Sequence, residues 1–115
     1  MKTGFYSLSM LSLKELKSFF KEAIMLSYNT HIDVLDCRTS WRRQECTSKT
    51  IKDMLKEVST SNHNTCINRS IQHENSYYGE IGYCTMGSKI EYFLYIFVSL
   101  ENLEKLIMKY KLTEQ

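Results

Sequence analysis

The chain has 115 residues, 43% hydrophobic and 24% charged, and its 15 Lys and Arg against 13 Asp and Glu leave a net charge of +2. Those values exclude a disordered or fibrous chain, a strongly basic nucleic-acid coat and an acidic nucleic-acid mimic. Length sets the expectation of one globular domain, residues 1–115, around one core.

The first element read along the chain is a strand: from Phe5 to Met10, apolar Tyr6, Leu8 and Met10 alternate with Ser7 and Ser9. Ser12-Leu13-Lys14-Glu15 then reads as a capping box, with Leu11 and Leu16 spaced as a hydrophobic staple. Leu13, Leu16, Phe20, Ala23 and Ile24 share one face of the helix that follows, which should end near Tyr28 and Asn29. Ile32, Val34 and Cys37 suggest a short second strand. Past Trp41, a second helix spans Ser48 to Val58 with Ile51, Met54, Leu55 and Val58 at helical spacing. The all-polar stretch Ser59 to Thr65 is expected to be a mobile surface loop.

Ile67, Arg69, Ile71 and His73 alternate weakly, and Tyr77 to Thr85 and Ile90 to Val98 form two strong strands around Met86-Gly87-Ser88-Lys89. Glycine at the first central position is the mark of a type II′ hairpin. Ser99 then caps a third helix, with Leu100, Leu103, Leu106, Ile107 and Tyr110 as its stripe and Val98 and Leu103 as its staple. The expected architecture is α+β: two layers, a mostly antiparallel sheet of about four to five strands and three helices, in the order β-α-β-α-β-β-β-α.

With Gly87 and Ser88 as central turn residues, counting outward places Phe93 opposite Gly82 and sorts the hairpin into two faces. One face carries Tyr77, Ile81, Tyr83, Ile90, Tyr92, Leu94, Ile96 and Val98, and should meet the helices. The other carries Tyr78, Glu80, Gly82, Cys84, Glu91, Phe93, Tyr95 and Phe97. Aromatics are enriched where proteins dock, so Tyr78, Phe93, Tyr95 and Phe97, rimmed by Glu80 and Glu91, form the candidate partner-binding surface. The competing reading is a second core layer, in which a helix crosses to this side.

A second candidate lies in Arg38 to Lys56, where six basic residues face two acidic ones for a segment charge of +4. Arg38, Trp41, Arg42, Arg43 and Lys49 have the composition to grip a phosphate backbone and stack a base. The plain alternative is a solvated helix face with one tryptophan anchoring a loop.

His63 and Cys66, with His73 and Cys84, have a loose zinc-like arrangement, but only one close ligand pair is visible, so no metal is expected. Cys84 is the best placed of the four cysteines for thiol chemistry, which would need a neighbouring base. No phosphate loop, dinucleotide fingerprint or nucleophile elbow occurs, so neither a cofactor nor an enzyme is expected. The start of the chain lacks the apolar stretch of a signal peptide, and the longest apolar run, Tyr92 to Val98, is too short to span a bilayer. The expectation is a cytoplasmic protein with free thiols that binds another protein, as an inhibitor, antitoxin or toxin-immunity factor does, or that pairs with itself.

Overall fold

The computed structural model describes residues 3–36, 41–45, 48–58, 63–85 and 89–114, with backbone alone at 3, 41–45, 70 and 73. The chain runs β1 (Thr3–Ser7), α1 (Leu13–Leu26), β2 (Asn29–Asp36), β3 (Trp41–Glu45), α2 (Ser48–Glu57), β4 (His63–His73), β5 (Ser76–Thr85), β6 (Ile90–Ser99), α3 (Leu100–Lys109) and β7 (Thr113–Glu114). Among the described residues seven strands form one antiparallel sheet in the order β3-β2-β6-β5-β4-β1-β7. The class is α+β, as the patterning implies, with more strands than four to five and the element order β-α-β-β-α-β-β-β-α-β.

Local chemistry accounts for the helix starts. Ser12 Oγ accepts from the Glu15 N–H at 3.1 Å, and Glu15 Oε1 accepts from the Ser12 N–H at 3.0 Å. Leu11 and Leu16 are both buried beside that box. Ser99 Oγ likewise accepts from Asn102 N–H at 3.1 Å, between buried Val98 and Leu103. α1 stops at Leu26, earlier than the stripe suggests, because Ser27 is extended and the Tyr28 N–H already donates to the Phe97 carbonyl at 2.8 Å. At the far end of α3, Lys111 adopts φ 54° and its N–H reaches the Met108 carbonyl. The Leu112 N–H bonds the Ile107 carbonyl, which completes a Schellman ending and aims the chain at β1, where Thr113 and Glu114 pair with Ser7 and Tyr6.

Several strand assignments differ from the pattern-based ones, the short β7 after the last helix among them. β3 has one apolar residue in five and takes its strand character from pairing with β2, not from its own sequence. β4 begins at His63, so His63, Asn64 and Thr65 are strand instead of loop, and Thr65 is only 1% exposed. The rest of that polar stretch, 59–62, lies outside the described residues, as does Cys37. β1 ends at Ser7, and Leu8 is buried in the connection that follows. A register shift between Asn68 and Ile71 in the β4–β5 pair explains the weak alternation there: Ile67 pairs with Ile81 on the helix side, whereas Ile71 pairs with Tyr78 on the other.

All three helices lie on one face. Leu16, Phe19, Phe20 and Ala23 of α1, Met54 and Leu55 of α2, and Leu103 and Leu106 of α3 join one buried cluster with Ile32, Val34, Ile67, Ile81, Tyr83, Tyr92, Leu94, Ile96 and Val98. The rings of Phe20 and Tyr83 meet at 4.4 Å. Tyr77, placed on this side by alternation, is instead 56% exposed, since it sits at the end of β5 beyond the helix cover. Arg69 ties the layers together by donating to Glu104 Oε1 and to Tyr6 Oη, both at 2.6 Å. No helix among the described residues is long and apolar enough to cross a membrane.

Candidate docking face

The side of the sheet away from the helices carries the aromatic set. In the β5–β6 pair, Glu80 lies opposite Phe97, Gly82 opposite Tyr95 and Cys84 opposite Phe93. Counting from Gly87-Ser88 puts Phe93, not Tyr95, over Gly82, so the observed register is displaced by two residues; the turn itself lies outside the described residues. A displacement of two equals the side-chain period of a strand, so every residue keeps its face while its cross-strand partner changes. Tyr78, Glu80, Glu91, Phe93, Tyr95 and Phe97 are all half-buried, each shielded by its neighbours in the sheet. Among the described residues no helix covers them.

Flanking strands add residues that hydropathy patterning did not single out. β2 pairs with β6 so that Asn29, His31, Asp33 and Leu35 lie opposite Phe97, Tyr95, Phe93 and Glu91. His31 Nε2 approaches Asp33 Oδ1 at 3.2 Å, and its ring is tilted toward Tyr95 at 6.1 Å. Asp33 is 4% exposed, a buried carboxylate within the central strands. From β4, Asn64, Cys66 and Asn68 lie opposite Cys84, Gly82 and Glu80, and β1 brings Phe5 opposite Cys66. Sequence spacing carries no signal for these, because they arrive through strand order.

Depressions lined by described residues mark this face. A hollow of about 220 Å³ lies over Gly82, with Cys66, Cys84, Phe93, Tyr95 and Phe5 around it. A larger one, about 400 Å³, is lined by Tyr28, Asn29, Ile71, Gln72, Tyr78 and Phe97. Burial pushes the Glu80 carboxyl above its ordinary range. Burial also raises the thiols: Cys66 with help from nearby Glu80, and Cys84 with help from Glu91 against an opposing hydrogen bond with Asn64. Both are free thiols, and both are less ionised than an ordinary cysteine, the reverse of what a thiol nucleophile requires.

The zinc-like spacing does not come together. His63 and Cys66 are three apart on one strand and so belong to opposite faces: His63 stacks on Tyr83 at 5.5 Å on the helix side, while Cys66 lines the hollow over Gly82. Among the described residues no three His, Cys, Asp or Glu side chains form a metal-binding group.

Of the basic candidates, Arg38 lies outside the described residues, and Trp41, Arg42 and Arg43 form the edge strand β3 opposite Asp36, Leu35 and Val34. Lys49 is exposed on α2. Compared with protein-family models, curated proteins and solved structures, the chain matches none.

Proposed function

We propose that this protein works by binding another protein on its open sheet face, blocking that partner by occupancy as an inhibitor, antitoxin or immunity-type antagonist does. The observation that carries the reading is the half-buried row Tyr78, Phe93, Tyr95 and Phe97, with Glu80 and Glu91 beside it, on a face without a covering helix among the described residues. Aromatic side chains give large contact area at low entropic cost, and the carboxylates favour a basic partner and speed encounter. The reading involves no chemical step, and it sets the protein in the cytoplasm, where thiols such as Cys66 and Cys84 stay reduced. Arg38, Trp41, Arg42, Arg43 and Lys49 remain the basis of a second reading as a nucleic-acid-binding module, which the carboxylates of the open face oppose by repelling phosphate.

The deciding experiment is affinity capture with the wild-type chain beside a Phe93→Ala, Tyr95→Ala variant, each checked for cooperative thermal unfolding. Loss of a partner by the folded variant supports the docking face. Equal recovery by both removes it, and sedimentation at several concentrations tells a second copy of the chain from a different protein.

A further inference from the structure

The larger depression has a composition that the docking reading alone does not explain. Its walls are aromatic: the rings of Tyr28 and Tyr78 meet edge to face at 5.0 Å with their planes 80° apart, and Phe97 supplies a third ring. The walls are held by the fold, since the Tyr28 N–H donates to the Phe97 carbonyl at 2.8 Å and Asn29 is paired with Phe97. The polar lining is the amides of Asn29 and Gln72, each with an acceptor oxygen, and among the residues whose side chains are described no Lys, Arg or His lines the space. One register step away, Glu80 lies opposite Phe97 and two residues from Tyr78 on the same face. It is half-buried, and among the described residues it makes no hydrogen bond or ion pair.

Aromatic faces carry negative charge density and attract cations, most strongly where water is partly excluded. A half-buried carboxylate without a partner has lost hydration and gained nothing in return, so a cation brought beside it recovers that loss. A volume of about 400 Å³ lies near the lower end for small-molecule sites and suits a single long side chain. We infer that this aromatic corner receives a lysine or arginine side chain of the protein partner, with Glu80 as its counter-charge. The inference rests on the docking reading and adds the chemistry of the residue that the partner must present.

The test uses the intact chain and two small probes, N-acetyl-arginine-N-methylamide and its neutral citrulline isostere, followed by aromatic-proton NMR. The arginine probe should shift the ring signals of Tyr28, Tyr78 and Phe97 saturably, with a dissociation constant in the millimolar range, and the citrulline probe should bind about fivefold or more weakly. Tyr28→Leu is the safe variant, because that side chain is 67% exposed and its anchoring hydrogen bond is made by the backbone. It and Glu80→Gln should each weaken the arginine probe about threefold or more. Equal binding of the two probes, shifts confined to other rings, unchanged affinity in Tyr28→Leu, or tighter binding of tetramethylammonium than of the arginine probe would each overturn the inference. Should the probe fail while the Phe93→Ala, Tyr95→Ala variant still loses its partner, the docking face stands and the cation site falls. The converse result leaves a corner that binds guanidinium but removes the docking face, and with it the assignment of that cation to a protein partner.

Discussion

Gly79 and Leu103 occupy adjoining space: a Cβ built on Gly79 would stand 2.5 Å from Leu103 Cδ2 and 3.1 Å from Leu103 Cβ. Leu103 is fully buried and belongs to the staple that starts α3, so neither end of its side chain has room to retreat. This contact sets how closely α3 lies on β5.

Gly79→Ala should therefore destabilise the fold by about 1–3 kcal/mol through overpacking. Combining it with Leu103→Ala should cost less than the sum of the two single changes, because the second removes the obstruction. Gly82, on the open face, is different. Among the described residues its Cβ would meet only the Cys66 carbonyl, at 3.6 Å, so Gly82→Ala should be neutral or stabilising by up to about 1 kcal/mol. Urea unfolding of the four variants checks both statements, and a Gly79→Ala protein as stable as wild type would contradict the packing described.

Glu22 clamps α1 to α3. Its two oxygens accept from Lys109 Nζ at 2.8 and 3.0 Å, and Oε2 also accepts from Tyr110 Oη at 2.8 Å. The hydrogen bond from Lys109, then that from Tyr110, holds the Glu22 carboxyl below its ordinary range. Because the folded value is the lower one, the stabilisation is present above the ordinary carboxylate range and is lost as pH falls through the folded value. Glu22→Gln should cost about 0.5–1 kcal/mol at pH 7, a modest figure because water reaches Lys109. The gap between wild type and variant should close in acid. Burial, with the bond to Glu22, pushes Tyr110 up to about 12, so its contribution should be lost as pH rises from 10 towards that value.

Glu80 has the opposite sign. Burial alone raises its carboxyl, so the folded protein holds that proton more tightly than the unfolded chain does. Its contribution is greatest below the ordinary carboxylate range and is lost as pH rises through the folded value. Glu80→Gln should consequently raise stability at pH 7, on the order of 0.5 kcal/mol given its partial exposure, and the gain should vanish on acidification. Thermal melts at pH 7 and in acid measure it. A loss of stability at pH 7 would mean that the ionised carboxylate has a favourable partner within the folded chain.

The thiols should be sluggish. In a Cys37→Ser, Cys46→Ser background, Cys66 and Cys84 should alkylate with iodoacetamide at pH 7.5 more slowly than glutathione, because burial keeps both protonated and half-covered. Either thiol reacting faster than glutathione would reopen thiol catalysis as a reading of this site.

What could be read from the chain alone is what depends on neighbours in sequence. Ser12 with Glu15, Leu11 with Leu16, and Ser99 between Val98 and Leu103 specify helix starts within a few residues, since caps and staples close over one turn. The two-residue alternation of β5 and β6 likewise assigned Phe93, Tyr95 and Phe97 to one face, and that assignment survives a register displaced by two. Strand order is another matter: nothing in Trp41-Arg42-Arg43-Gln44-Glu45 says strand until β2 lies beside it, and Glu74, with φ 56° between β4 and β5, is an unusual residue for a hairpin turn. Tertiary structure alone brought Tyr28 against Tyr78, His31 beside Tyr95 and Cys66 opposite Gly82, and it sent all three helices to the same side. Hydrogen-bond ladders join segments far apart in the chain, and their pairing is chosen by the packing of the whole sheet, whereas a face depends only on the alternation of a single strand.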